Sequence, residues 1–256
     1  MNSSAPMGYE AVLPALSTDP TADEVRRGTD RWTATADLGP ADVVVLYFAG
    51  HGVHSVDRHY LLFSDTERGL WDGTALASED FGRPLVRSSV GHLLIVLDTC
   101  FAGAGTADIT SLAASLARTR SPEPAGCWLM AAARGKERAT ENAFISALTH
   151  VLAHPKAGAR QEFVSVRDVT RGVNGYFAEH HPAQHARYTT VDSDGQAPFF
   201  PNPAFVPGLP ANDLDVRTVA RLRQESRGHF DPRGRADRDL VLGMRSDTVV
   251  LSPADL

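Results

Sequence analysis

The sequence predicts an α/β fold, a three-layer α/β/α sandwich built on a mainly parallel central sheet. Two continuous β-branched and aromatic runs carry that prediction, Asp42–Ala49 (DVVVLYFA) and His92–Asp98 (HLLIVLD). Neither alternates polar with apolar residues, so each reads as a strand covered on both faces. Stretches with helical spacing separate and follow them, and right-handed crossovers put those helices on both sides of the sheet.

Taken in order, Tyr9–Leu16 (YEAVLPAL) is a short apolar stretch that reads as a strand, with Pro14 near its end. Asp19–Pro20–Thr21 opens a helix, because Thr21 and Glu24 have the spacing of a capping box. The strand Asp42–Ala49 ends in Gly50–His51–Gly52, where the backbone must turn sharply, and His59–Phe63 (HYLLF) is a further short strand. A helix follows Ser78, whose hydroxyl is placed to cap it, and Pro84 limits or kinks that helix. The strand His92–Asp98 ends in the polar, glycine-bearing loop Thr99–Gly105, and Ile109–Arg118 has helical spacing. Cys127–Ala133 (CWLMAAA) reads as a third inner strand. Glu141–His154 is an amphipathic helix with Phe144, Leu148, Val151 and Leu152 on one face. Ser165–Ala178 is another, with Ser165 and Asp168 at capping spacing. The proline-rich stretch Pro198–Pro210 closes the domain, which places a domain at 1–207 and a linker or tail at 208–256. Within the tail, Asp213–His229 reads as a charged helix and the last residues show no clear pattern.

Composition removes several classes of function. Of the 256 residues, 43% are hydrophobic and 22% charged, enough to bury a core without metals or disulfides. A net charge of −6 argues against nucleic acid as a partner, since phosphate binding needs a basic face. No apolar run has the length of a membrane span, and the polar N-terminus does not read as a secretory signal. The two cysteines, Cys100 and Cys127, fit a reducing cytoplasm. No metal site is expected, because there is no C-x-x-C pair and His150–His154 (HVLAH) lacks both a further ligand and a catalytic glutamate.

The chemistry is expected at the strand ends. In parallel α/β sheets, ligands bind outside the carboxyl ends of the strands. His51 follows one inner strand and Cys100 the other. A thiol there is a nucleophile toward a carbonyl, and an imidazole titrating near neutrality can protonate a departing amine. Gly52 lets backbone approach closely, so its N–H and that of Cys100 form the expected oxyanion hole. Cys127 begins a strand without a glycine turn and is expected to be core packing. Asp98 lies two residues before Cys100, on the same side of an extended strand.

At these residues the sequence resembles the caspase-like peptidase superfamily, including metacaspases, paracaspases and their bacterial relatives. VVVLYFAGHG carries the histidine–glycine signature onto His51 and Gly52. LLIVLDTCFAG resembles the metacaspase D-x-C-x-S-G pattern, with Ala102 in place of serine, and puts the nucleophile on Cys100. The animal-caspase pattern Q-A-C-x-G is not matched, since Asp98 stands where Gln would be. YLLFSDTE and WLMAAARGKERATENAFISALTHVL resemble the family's following segments, so the likeness extends over about residues 8–205. It implies a cysteine endopeptidase without a cofactor. In metacaspases and paracaspases the aspartate matching Asp98 lines a pocket for Arg or Lys before the scissile bond, which sets protein or peptide substrates of that kind as the expected partners. Glu141 is a second acidic wall by the same resemblance.

The family's sheet begins with a strand and helix upstream of YEAVLPAL, and these are expected to be missing here. PFFPNP and RLRQESRGHFDPRGR resemble the junction at which a signalling NTPase or repeat module follows in bacterial relatives, an expected regulatory partner. A catalytically weak scaffold is the alternative to an active peptidase. Calcium activation, known among metacaspases, is left open by an acidic neighbourhood of Asp65, Glu67, Asp72, Glu79 and Asp80 that lacks the spacing of a calcium loop.

Overall fold

The computed structural model describes residues 9–117, 126–193 and 197–208, and the backbone of 239–246. Tyr9–Leu16 does not form one strand. It supplies the two-residue strand β1 (Glu10–Ala11), and Pro14 then starts a single 3₁₀ turn, Pro14–Leu16, because proline cannot donate to a ladder. Helix α1 (Ala22–Thr35) begins with the expected capping box: the Thr21 hydroxyl accepts from Glu24 N, and Thr21 N donates to the Glu24 carboxylate. Strand β2 (Val43–Gly50) runs into the hairpin β3 (Gly52–Ser55) and β4 (Arg58–Leu61). A short helix α2 (Trp71–Thr74) and strand β5 (Leu76–Ala77) lead into α3 (Ser78–Arg87). Pro84 sits inside α3 without ending it.

Strand β6 (His92–Asp98) is followed by α4 (Ala102–Ala117), which starts much earlier than its apolar spacing suggested. The expected loop Thr99–Gly105 is thus only a three-residue corner and the first turn of a helix. Then come β7 (Gly126–Ala131), α5 (Ala143–Ala153), α6 (Val166–His180) and β8 (Arg187–Val191). Ser165 caps α6 by accepting from Asp168 N at 3.0 Å, as its spacing predicts.

The main sheet has six strands in the order β1-β9-β2-β6-β7-β8, where β9 is Asp239–Ser246. All neighbours are parallel except β7 and β8. Strand β9 comes from the segment read as a linker or tail, and it pairs with β2 over its full length, from Val43↔Asp239 to Gly50↔Ser246. The place beside β2 that the sequence leaves open is filled from the far end of the same chain. The expected helix at Asp213–His229 lies outside the described residues. A second, antiparallel sheet, β3-β4-β5, stands off the carboxyl end of β2.

Strand alternation splits the core in two, as a sheet covered on both faces requires. Val44, Leu46, Phe48, Leu93, Ile95 and Leu97 face one cluster with α1, α3 and α4. Leu94, Val96, Trp128 and Met130 face the other, with Phe144, Leu148, Val173 and Phe177 of α5 and α6. Phe48 meets Phe63 and Phe81 edge-on at 5.4 and 5.9 Å. Such pairs add about 1 kcal/mol each beyond area burial. Phe199, Phe200 and Val206 are buried too, so packing continues into the proline-rich stretch.

Candidate active site

The site is assembled from three corners of the chain. The first is the turn from β2 into β3, which carries His51. The second is the turn from β6 into α4, which carries Cys100. Adjacent strands β2 and β6 share their last rung at Ala49↔Asp98, and His51 and Cys100 each lie two residues beyond it. Register alone therefore delivers the predicted histidine and cysteine to the same edge of the sheet at the same height. The third corner is the loop from Arg134 to Asn142, between β7 and α5.

Cys100 is half-buried, and its thiol donates to the Ala139 carbonyl of that loop at 3.8 Å. Burial pushes the thiol pKa up, and the nearby Asp98 carboxylate pushes in the same direction against Arg138. The resting cysteine is therefore a protonated thiol near neutral pH. Phe101, next in the chain, has φ = +58°, a left-handed conformation that costs a non-glycine residue about 1 kcal/mol or more. The peptide unit joining Cys100 to Phe101 is fastened at both ends. Phe101 N donates to the Glu137 carbonyl at 2.9 Å, and the Cys100 carbonyl accepts from His59 Nε2 at 2.9 Å.

His59 is fully buried on β4, and its other nitrogen, Nδ1, lies 2.6 Å from Ser78 Oγ. A carbonyl can only accept, so Nε2 carries the proton. Desolvation pushes the His59 pKa down to about 4, so the ring is neutral at pH 7 and Nδ1 is an acceptor. The Ser78 hydroxyl donates to it. This corrects the expectation that Ser78 caps α3: the capping position is Ala77, with no side-chain cap, because the Ser78 hydroxyl is committed to His59.

Gly52, proposed for the oxyanion hole, sits against Cys100. A Cβ there would stand 2.4 Å from Thr99 Oγ1, 2.7 Å from His59 Nε2 and 2.9 Å from the Cys100 carbonyl oxygen. Leu62 N donates to the His51 carbonyl, which makes Gly52↔Leu61 a non-hydrogen-bonded rung of the hairpin. The Gly52 N–H consequently points away from β4, outside the ladder. Thr99 is buried, and its hydroxyl has no hydrogen-bond partner among the described residues.

Asp98 accepts a hydrogen bond from the Tyr47 hydroxyl at 2.9 Å, across the β2–β6 pair. Glu141 is exposed, with Asn142 Nδ2 at 3.5 Å from its carboxylate, two residues beyond the carbonyl that faces the thiol. Cys127 is buried in the core, as expected. Three residues that shape the site were not singled out by the sequence as doing so. Gln184 is buried, donating to the Ala132 carbonyl at 2.9 Å and accepting from Thr140 N at 2.8 Å. Glu137 accepts from Arg134 N and His185 N, folding the third corner back on itself. His59 is the third, and only its place just after the His–Gly turn hints at a role.

Among the described residues no group of three or more His, Cys, Asp or Glu side chains could hold a metal ion, and no helix is long and apolar enough to cross a membrane. A cysteine and a histidine at equal height on neighbouring parallel strands, with the cysteine just before a helix, are residue types that can serve as nucleophile and base. The family model for the caspase domain matches residues 7–200, and the chain belongs to that family of cysteine peptidases. No curated protein matches the chain.

Proposed function

We propose that the chain is a cysteine endopeptidase in which Cys100 is the nucleophile and His51 its acid–base partner, cutting after Arg or Lys. The observation that carries this reading is the shared rung Ala49↔Asp98, two residues before both reactive side chains. In the proposed cycle His51 takes the thiol proton as Cys100 attacks the scissile carbonyl. The oxyanion is met by the N–H groups of Gly52 and Cys100. His51 returns its proton to the leaving amine, and a water activated by the same imidazole then hydrolyses the thioester. Asp98, oriented by Tyr47, supplies the negative charge that attracts a guanidinium or ammonium and repels an acidic side chain. Glu141 adds charge at the rim. Both cysteines are free thiols, in keeping with a reducing cytoplasmic setting.

Hydrolysis of fluorogenic peptides ending in Arg, Lys or Asp, with and without calcium and with Cys100→Ala as control, tests the reading. Cleavage after Arg or Lys that disappears in the variant supports it. Cleavage after Asp overturns the role of Asp98. The second reading, a weakly active scaffold that works with a regulatory partner or an NTPase or repeat module, draws on the half-buried, protonated thiol. Silence on every peptide in either condition favours it.

A further inference from the structure

We propose that His59 is the positioning residue of the nucleophile turn, a neutral imidazole that grips the Cys100 carbonyl through Nε2–H and ties the hairpin following His51 to the corner carrying the thiol. The proposal rests on the reading of Cys100 as nucleophile. Its geometry leaves the ring little choice. Nε2 lies 2.9 Å from the Cys100 oxygen and Nδ1 2.6 Å from Ser78 Oγ, while His59 N donates to the Asp108 carboxylate at 3.1 Å. One residue thereby joins β4, α3, α4 and the β6–α4 corner. The slot is cut to an imidazole's shape: a Cβ on Gly52 would stand 2.7 Å from Nε2, and a Cβ on Gly105 would stand 2.6 Å from Nδ1.

A buried imidazole used only as filler would be a poor choice, since an aliphatic side chain fills such a space without the cost of desolvating two ring nitrogens. What the ring adds is control of one peptide plane. The Cys100–Phe101 peptide has its carbonyl held by His59 and its N–H held by Glu137 O, and Phe101 is kept at a φ of +58°. Released at the carbonyl, that peptide can rotate toward a relaxed conformation, and the Cys100 Cα–Cβ bond swings with it. His51 and His59 belong to one hairpin segment, because Leu62 N donates to the His51 carbonyl while His59 lies on the strand leading into Leu62. The clamp therefore fixes nucleophile and acid–base partner relative to each other.

Around His59, the Ser78 hydroxyl of α3 meets the ring, Asp108 of α4 accepts from its backbone N–H, and His54 of β3 lowers its pKa by charge. Asp108 is held protonated to higher pH than usual by burial, with Glu79 acting in the same direction.

The test compares the full chain with His59→Gln, which keeps a donor at the reach of Nε2, and His59→Met, which has similar length and none. Three quantities are read: kcat and KM on an Arg-ending fluorogenic peptide, the pH profile of Cys100 alkylation by iodoacetamide, and the thermal midpoint. His59→Met is expected to lower kcat about 10²-fold with KM nearly unchanged, the scale of a misplaced reacting group. Its alkylation profile moves to lower pH as the thiol leaves its half-buried seat. His59→Gln keeps most of kcat and the parental profile even where it loses as much thermal stability as His59→Met. If both variants lose kcat alike, in step with their midpoints, His59 is filler and the proposal fails. If the parent cleaves no peptide, the peptidase reading fails, and the alkylation profiles still decide: a shift in His59→Met restored in His59→Gln supports the clamp, and identical profiles overturn it. Should His59→Met not fold, Ser78→Ala replaces it. Loss of the hydroxyl that holds Nδ1 is expected to shift the profile in the same direction, and a parental profile overturns the proposal.

Discussion

Acidification should weaken this protein through His59 before its carboxylates titrate. In the unfolded chain the imidazole binds a proton at its ordinary pKa of 6.5, whereas in the folded protein desolvation holds that pKa at about 4. Between those values the unfolded state carries more protons, so stability falls as pH falls. The stabilisation is fully present above pH 6.5 and is lost as pH drops toward the folded pKa of about 4. Linkage over that gap gives a loss of about 2 kcal/mol between pH 7 and pH 5, approaching roughly 3 kcal/mol near pH 4. Asp108 opposes it in acid, because its burial-raised carboxyl binds a proton more readily folded than unfolded. Urea unfolding of the full chain and of His59→Gln at pH 7 and pH 5 isolates the histidine, since every other group titrates in both. The parent should lose about 2 kcal/mol more than the variant over that interval. Parallel losses would refute the neutral ring and with it the hydrogen bond that Ser78 donates to Nδ1.

Other perturbations read other parts of the site. Asp98→Asn removes a charge that raises the Cys100 thiol pKa, so alkylation near pH 8 should quicken while kcat/KM on Arg peptides falls about 10²-fold; movement of both in one direction contradicts the two roles given to Asp98. Gly52→Ala should cost at least ~2 kcal/mol and abolish activity, because its Cβ meets Thr99, His59 and the Cys100 backbone at 2.9 Å or less; Gly73→Ala, with nothing within 4 Å, is the neutral control, and equal thermal midpoints for the two would be decisive against the packing described. Thr99→Val replaces a buried hydroxyl that has no partner among the described residues and should stabilise by about 1 kcal/mol in urea titration. Ending the chain at residue 208 removes β9, leaves β2 without its neighbour on that side, and should lower the thermal midpoint by roughly 5 °C or more; an unchanged midpoint would mean that β9 does not pair in solution.

The inner sheet was legible because strands buried on both faces write themselves as continuous apolar runs, and β2, β6 and β7 all do. The caps at Thr21 and Ser165 were legible for a similar reason: a cap is a local arrangement, closed within four residues. Strand β9 was not, although it lies beside β2. Its sequence, DLVLGMRS, mixes charge and glycine into a short apolar stretch, and a pairing between residues 43 and 239 leaves no trace in either segment taken alone. Helix α4 was read late because Ala102–Gly105 lacks apolar spacing and its two glycines offset the helix preference of its alanines. The start of that helix is secured from outside, by Gly103 N donating to the Ala133 carbonyl at 2.9 Å.

The same contrast divides the site. His51, Cys100 and Asp98 could be named because strand ends in a parallel sheet are where side chains emerge, so position along the chain already implies position in space. The residues that hold them cannot be found that way. His59 meets Cys100 across 41 positions, and Gln184 meets Ala132 across 52 and Thr140 across 44. Each is a buried polar group whose meaning lies wholly in its partner, and sequence reports a partner only when it is near. A family motif points to candidate reacting atoms but says nothing of how this chain fixes them. In this chain an imidazole stands on one side of the Cys100–Phe101 peptide and the Glu137 carbonyl on the other. The thiol held between them is half-buried and protonated at rest, so in the proposed cycle reactivity depends on His51 removing the proton at the moment of attack. A turn that must keep so unreactive a thiol aligned with its base gains most from a rigid clamp, and least from one whose own charge changes near neutral pH.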